Sequence, residues 1–133
     1  MASIFTKIVN GEIPCHKLAE NDDFLAFLDV RPIKRGHALV IPKKEVDYLF
    51  DLDPDLLGSI MRFAQPVAKA IEAVVPCKRI GVVVVGLEVP HAHVHLVPLE
   101  AIGDINFAHA RPAEADELAA LAADIRSALE RAS

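Results

Sequence analysis

This sequence of 133 residues has two cysteines, no long apolar run and no surplus of positive charge. Each shortage excludes something. Cys15 and Cys77 are too few for a disulfide framework, which points to a reducing compartment, the cytoplasm, and to ordinary buried or half-buried thiols. The longest apolar run, Ile80 to Leu87, is eight residues, against the ~20 that a bilayer requires. The stretch Met1 to Lys7 has neither the apolar segment nor the cleavage site of a signal peptide. With 14 basic and 19 acidic residues the net charge is −5, so a general nucleic-acid binder is not expected. Repeats, low-complexity segments and linker-like runs are also missing. What is there suffices for one domain over 1–133, since about 100 to 200 residues is the usual range. With 53% hydrophobic residues, a chain of this length builds a core without disulfides or a structural metal.

Short strands are expected in the first and middle parts. Phe24 to Leu28 is a compact apolar run ended by Asp29 and by Arg31-Pro32. Ala38 to Ile41 follows Gly36 and stops at Pro42. Ile80 to Val85 is rich in β-branched residues and ends at Gly86, and Val89 to Val97 reads as its antiparallel partner. Two helices are better marked. Asp53-Pro54-Asp55 supplies a cap, a proline at the first helical position and an acidic first turn. Leu56, Ile60, Phe63, Val67, Ile71 and Val74 then keep a helical period until Pro76, with Pro66 inside as an expected kink. A second helix over about 112–131 carries Leu118, Leu121, Ile125 and Leu129 on one stripe. Its acidic residues, Glu114, Asp116, Glu117, Asp124 and Glu130, read as a solvated face. Strands and helices mixed in this way, without regular βαβ alternation, point to α+β: an antiparallel sheet with two main helices.

Three of the six histidines fall within five residues, His91-Ala92-His93-Val94-His95. In a strand they would project on one side, with Ala92, Val94 and Leu96 on the other. A core does not want three adjacent imidazoles, because each brings polar atoms that need partners. Metal binding is one explanation. His91 and His95 would lie ~13 Å apart along a strand, so two of the three could share a zinc ion and all three hardly could. The spacing His93-x-His95-x4-Glu100 mimics part of a cupin motif, but the flanking glycines and the two helices do not suit an all-β cupin. Metal binding therefore ranks second. Nucleophilic catalysis ranks first. Neutral imidazole attacks phosphorus, and the phosphorus–nitrogen bond it forms is readily broken by water. One ring nitrogen must then be bare while the other donates its proton to a fixed acceptor. His93, flanked on both sides, is the natural nucleophile.

The run His91-Ala92-His93-Val94-His95-Leu96-Val97 resembles the motif His-φ-His-φ-His-φ-φ of the histidine triad (HIT) family of nucleotide hydrolases and transferases. The resemblance extends to Ser3 to Pro14, Phe24 to Pro32 and Gly36 to Lys43, four segments in the family order. It implies a HIT-like fold, a homodimer and cleavage at the α-phosphorus of a nucleoside 5′-phosphate derivative, a phosphoramidate or a dinucleoside polyphosphate. His93 would carry a nucleotidyl intermediate, with His91, His95 and His37 completing the catalytic set and a nucleoside monophosphate released. Asp29 would accept the ribose hydroxyls, and Phe5, Ile8, Ile13, Phe27 and Val30 would line the pocket of a purine base. From the residues alone, Asp29 is as readily a turn residue, and the apolar five are as readily core. The expectation includes no cofactor, no metal, no nucleic acid and no membrane. Some relatives hold zinc through an N-terminal Cys-x-x-Cys, where this chain has Ser3 and Thr6. His16 and His109 match nothing and read as surface. A nucleotide-binding protein without turnover is the other reading that the resemblance allows. The loop before the triad departs from the family pattern. Leu87 stands where glutamine is common and Glu88 where a small hydroxyl residue often lies, which bears on phosphate contacts and leaving group.

Overall fold

The computed structural model describes residues 2–132. A short helix α1 (Ile4–Val9) starts at Ser3, whose hydroxyl accepts the Thr6 amide proton as an N-cap. Then follow β1 (Lys17–Glu20), β2 (Phe24–Leu28) and β3 (Ala38–Pro42), the long helix α2 (Pro54–Val74), β4 (Arg79–Val83), β5 (Val94–Leu99) and the last helix α3 (Ala115–Ala132). Single 3₁₀ turns occupy Leu49–Asp51, Ile102–Asp104 and Phe107–His109. The strands form one antiparallel sheet in the order β1-β2-β3-β5-β4. The fold is α+β with two main helices, and an open sheet of this kind is not a cupin. Among the described residues no helix is long and apolar enough to cross a membrane.

Local chemistry explains most of the boundaries. The Asn21 side chain accepts the amide protons of Asp23 and Phe24 and so closes the β1–β2 turn. Asp53 accepts the amide protons of Asp55 and Leu56, and Pro54 opens α2 as expected. Pro66 lies on the exposed side of α2, and the helix continues through it. Phe24, Ala26 and Leu28 of β2, Ala38 and Val40 of β3, and Val94 and Leu96 of β5 form one face of the sheet. Ile60, Ala64, Val67 and Ile71 of α2 and Leu118, Leu121 and Ile125 of α3 pack on it. The other face holds Leu25, Phe27, Leu39 and Ile41 under Phe5 of α1. Because β2 and β3 are covered on both sides, they read as unbroken apolar runs rather than alternating ones. Burial of each such Leu, Ile or Phe contributes about 1.5–3 kcal/mol.

Three expected boundaries are corrected. The strand expected from Val89 begins at Val94 and runs to Leu99, and its partner ends at Val83 rather than Val85. Between them the chain leaves the sheet: Gly86 takes φ +74°, His91 N–H bonds back to the Val89 carbonyl, and Ala92 N–H reaches the Val46 carbonyl. Only His95 of the three triad histidines is therefore in a strand, and strand alternation does not place His91 or His93. The last helix begins at Ala115 rather than near Pro112.

Gly36, next to His37, takes φ +94°, and a Cβ there would lie 3.0 Å from Val75 Cγ2 and 3.1 Å from Pro98 Cγ. Gly58 in α2 has nothing within 4 Å of its would-be Cβ. Gly36→Ala should cost about 2–4 kcal/mol, from left-handed backbone and overpacking together, whereas Gly58→Ala should stabilise by about 0.5–1 kcal/mol. Urea unfolding of both variants checks this. Equal midpoints for the two would show that neither constraint operates.

Candidate active site

His37, His91, His93 and His95 are all buried, none more than 7% exposed. His95 extends from β5, paired with Leu39 on one side and Val83 on the other. His37 immediately precedes β3, at the end of a loop that Asp29 begins. The Asp29 amide donates to the His37 carbonyl at 3.0 Å, closing that loop. Asp29 also accepts the Arg31 amide proton at 2.8 Å, so the turn role read from its sequence position is present. Its other carboxylate oxygen lies 3.6 Å from His37 Nε2. His91 and His93 come from the segment entering β5.

Backbone partners settle which nitrogen of each ring carries hydrogen, because a carbonyl only accepts and an amide only donates. His93 Nδ1–H donates to the His91 carbonyl at 2.7 Å, which leaves His93 Nε2 with a bare lone pair. His91 Nε2–H donates to the Pro42 carbonyl at 2.7 Å, and its Nδ1 accepts the Ser3 hydroxyl proton at 2.8 Å. His37 Nδ1 accepts the Ile33 amide proton at 3.1 Å, so its Nε2–H donates to His95 Nδ1 at 2.9 Å. His95 then holds its own proton on Nε2. Among the described residues no buried side-chain polar atom is left without a partner.

Burial favours the uncharged form of His37, His91 and His95. It depresses the pKa of His37 despite the Asp29 carboxylate, and that of His91 despite the Pro42 carbonyl and Glu45. His95 is pushed down to about 3 by burial first and by the neighbouring His37 and His93 second. At neutral pH His37, His91 and His95 are thus neutral imidazoles with a defined order of protons.

Aromatic packing completes the setting. Phe5 stands edge-on to His93 at 5.0 Å, to His91 at 5.8 Å and to Phe27 at 5.8 Å. Phe5, Ile8 and Phe27 share one cluster with Val89, while Ile13 is half-buried outside that cluster and Val30 is 58% exposed. His93 and His95 border a cavity of about 220 Å³ with Val85, Leu87, Glu88, Val89 and Phe107. The Phe107 ring lies 4.8 Å from His95. It is held there because residues 102–113 fold back on the loop after β2: Lys34 meets Asp104, and the Arg111 and Ala113 amides donate to the Pro32 and Val30 carbonyls. Phe107 was not visible from sequence, since nothing in its local pattern tells of a return to the site. Glu45, which accepts protons from Ser3 and Thr6, was missed for the same reason. His109 is exposed as expected, and His16 is half-buried.

The triad histidines do not converge on one point. Among the described residues the donor set that could hold a metal is Asp29, His37 and His95, whose ligand atoms lie within 4.8 Å of one another. In the described arrangement the proton between the two rings occupies that space.

Comparison with known proteins agrees with this geometry. A family model for the HIT domain matches residues 10–102. An uncharacterized HIT-like protein of Methanocaldococcus jannaschii is 37% identical over 127 residues, covering 86% of this chain and 94% of that protein. The adenosine 5′-monophosphoramidase of Schizosaccharomyces pombe is 48% identical over 71 residues, and the match spans 53% of each chain. The crystal structure of a HIT-like protein from Bartonella henselae superposes with a TM-score of 0.84 at 32% identity, covering 95% of both chains. With the motif, the fold and the ordered histidines in agreement, the chain belongs to the histidine triad family.

Proposed function

We propose that this protein is a nucleoside phosphoramidase that acts at the α-phosphorus through a covalent nucleotidyl–His93 intermediate. The observation that carries the reading is the 2.7 Å bond from His93 Nδ1–H to the His91 carbonyl, which leaves Nε2 bare in a buried, uncharged setting. His93 Nε2 attacks phosphorus, the phosphorus–nitrogen bond to the amine breaks, and the amine leaves with the electron pair and takes up a proton. Water then attacks the phosphorus–N(His93) bond, releasing the nucleoside monophosphate and restoring His93. His95 Nε2–H is free to donate to the phosphate, and His37 holds His95 in the tautomer that makes this possible. Asp29 accepts the ribose hydroxyls of a purine nucleotide, and Phe5, Ile8 and Phe27, with Ile13 and Val30 at the rim, serve its base. The name of the S. pombe relative supports the phosphoramidate as substrate. The same reading includes a homodimer in the cytoplasm. Its support is the outer edge of β4, where exposed Val82 lies beside exposed Met61 of α2.

His93→Ala should lower kcat/KM at least ~10³-fold while nucleotide affinity stays within about threefold, since it removes the route rather than a contact. Rapid acid-free quenching of wild type with labelled substrate should trap one nucleotide on His93. Activity in a clean His93→Ala preparation refutes the covalent route. Unlabelled, inactive wild type that still binds nucleotide favours the binding protein.

Asp29→Ala should weaken nucleoside monophosphate binding at least ~10-fold, the loss of one charge-assisted hydrogen bond or more, and leave a ribose-free phosphate ester unaffected. Calorimetry with both ligands checks this. Unchanged nucleotide affinity would leave Asp29 as the turn residue only.

Glu88 is the one carboxylate lining the cavity shared by His93 and His95, and no lysine or arginine lines it among the described residues. A polyphosphate leaving group there meets like charge, and an amine does not. Solvent at exposed Glu88 screens the repulsion, so we expect roughly a tenfold preference for the phosphoramidate from this residue. Glu88→Gln should narrow the ratio of kcat/KM between an adenosine phosphoramidate and a diadenosine polyphosphate by that amount. An unchanged ratio removes Glu88 from the account of specificity.

A further inference from the structure

Behind the triad lies a polar cluster that the mechanism above does not use. Glu45, in the coil after β3, accepts the Ser3 backbone N–H at 2.6 Å and the Thr6 hydroxyl proton on the same oxygen. Ser3, only 6% exposed, donates its hydroxyl proton to His91 Nδ1 at 2.8 Å, while Thr6 Oγ1 lies 3.3 Å from the same nitrogen. These contacts join segments 42 and 88 positions apart in the chain.

Glu45 and the Pro42 carbonyl fix the order of protons here together, one from each side of the His91 ring. A carboxylate only accepts, so the Thr6 proton is committed to it and the Ser3 proton is left for His91. His91 Nδ1 accepts it, which supports the Nε2–H form that the Pro42 carbonyl also holds. That pair of bonds sets the His91 ring, and the His91 carbonyl in turn holds His93 Nδ1–H. Glu45 also anchors a helix that cannot stand alone. A helix of six residues is far below the ~12–15 that persist by themselves, and α1 carries Phe5 against both His91 and His93. The two amide and hydroxyl donors hold the Glu45 carboxyl down at about 2, so the acceptor stays ionised throughout the working range.

We propose that Glu45 is a positioning residue for the reaction: it pins the first turn of α1, directs the Ser3 proton to His91 and thereby fixes the ring that orients His93. The consequence for turnover rests on the phosphoramidase reading, but the consequence for His91 does not. The test uses the full chain as wild type, Glu45→Ala, Glu45→Gln and Ser3→Ala. Imidazole ¹⁵N shifts report the His91 tautomer, and steady-state kinetics with an adenosine phosphoramidate report kcat and KM. Wild-type His91 should be the Nε2–H form. Glu45→Ala should show mixed His91 tautomers and a kcat lowered about tenfold or more, by a larger factor than KM rises. Glu45→Gln keeps an acceptor oxygen for both donors and should recover the tautomer and most of kcat. Ser3→Ala keeps the backbone bond to Glu45 yet removes the proton, so it should mix the tautomers too, which decides the matter even where Glu45→Ala fails to fold. A pure Nε2–H His91 in both alanine variants overturns the proposal, as does a folded Glu45→Gln no better than Glu45→Ala. An inactive wild type with the expected tautomers would instead overturn the phosphoramidase reading and leave the positioning role standing.

Discussion

The hydrogen bond from His93 Nδ1–H to a main-chain carbonyl two residues back decides the chemistry of this site. An imidazole in water exchanges its proton between two nitrogens. Held by a carbonyl in a buried setting, the same ring keeps one nitrogen protonated and the other bare. The remaining histidines extend the constraint. His37 takes direction from the Ile33 amide and passes it to His95, and His91 takes it from the Pro42 carbonyl. Every chain of side-chain bonds ends on a main-chain group, so no ring is free to choose its tautomer.

Such an arrangement needs a frame that does not move relative to the rings. The sheet provides it by being covered on both faces. α2 and α3 close one face with a continuous aliphatic core, and α1, with the chain that enters β5, closes the other. Buried imidazoles are costly to desolvate as ions, so burial drives His37, His91 and His95 toward the neutral form. The burial that stabilises the fold also keeps the rings His37, His91 and His95 neutral. The site also draws on chain far from the motif: residues 102–113 return Phe107 to the His95 ring, and the coil after β3 sends Glu45 to the first turn of α1.

Much of this could be read from one sequence because the informative features are local. The caps and period of α2, the apolar runs of β2 and β3 and the histidine triad all reside in short windows. Placement of the triad on a strand failed for a local reason as well. Gly86 and Pro90 interrupt the extended chain, and the ladder that would continue through Val89 has no partner beyond Val83. The short helix α1 and strand β1 were not legible, since elements of six and four residues exist only by what they pack against.

What the sequence by itself determined is the set of chemical groups and the elements with their own start and stop signals: two helices, the apolar strands, the three clustered imidazoles and the family to which they belong. What only the tertiary structure decided is direction. Proton order across the histidines and the reach of Ser3, Glu45 and Phe107 depend on contacts between residues from 12 to 88 positions apart. A hydrogen bond has a donor and an acceptor only once two groups are brought within about 3 Å, and that distance is a property of the fold, not of the order of residues.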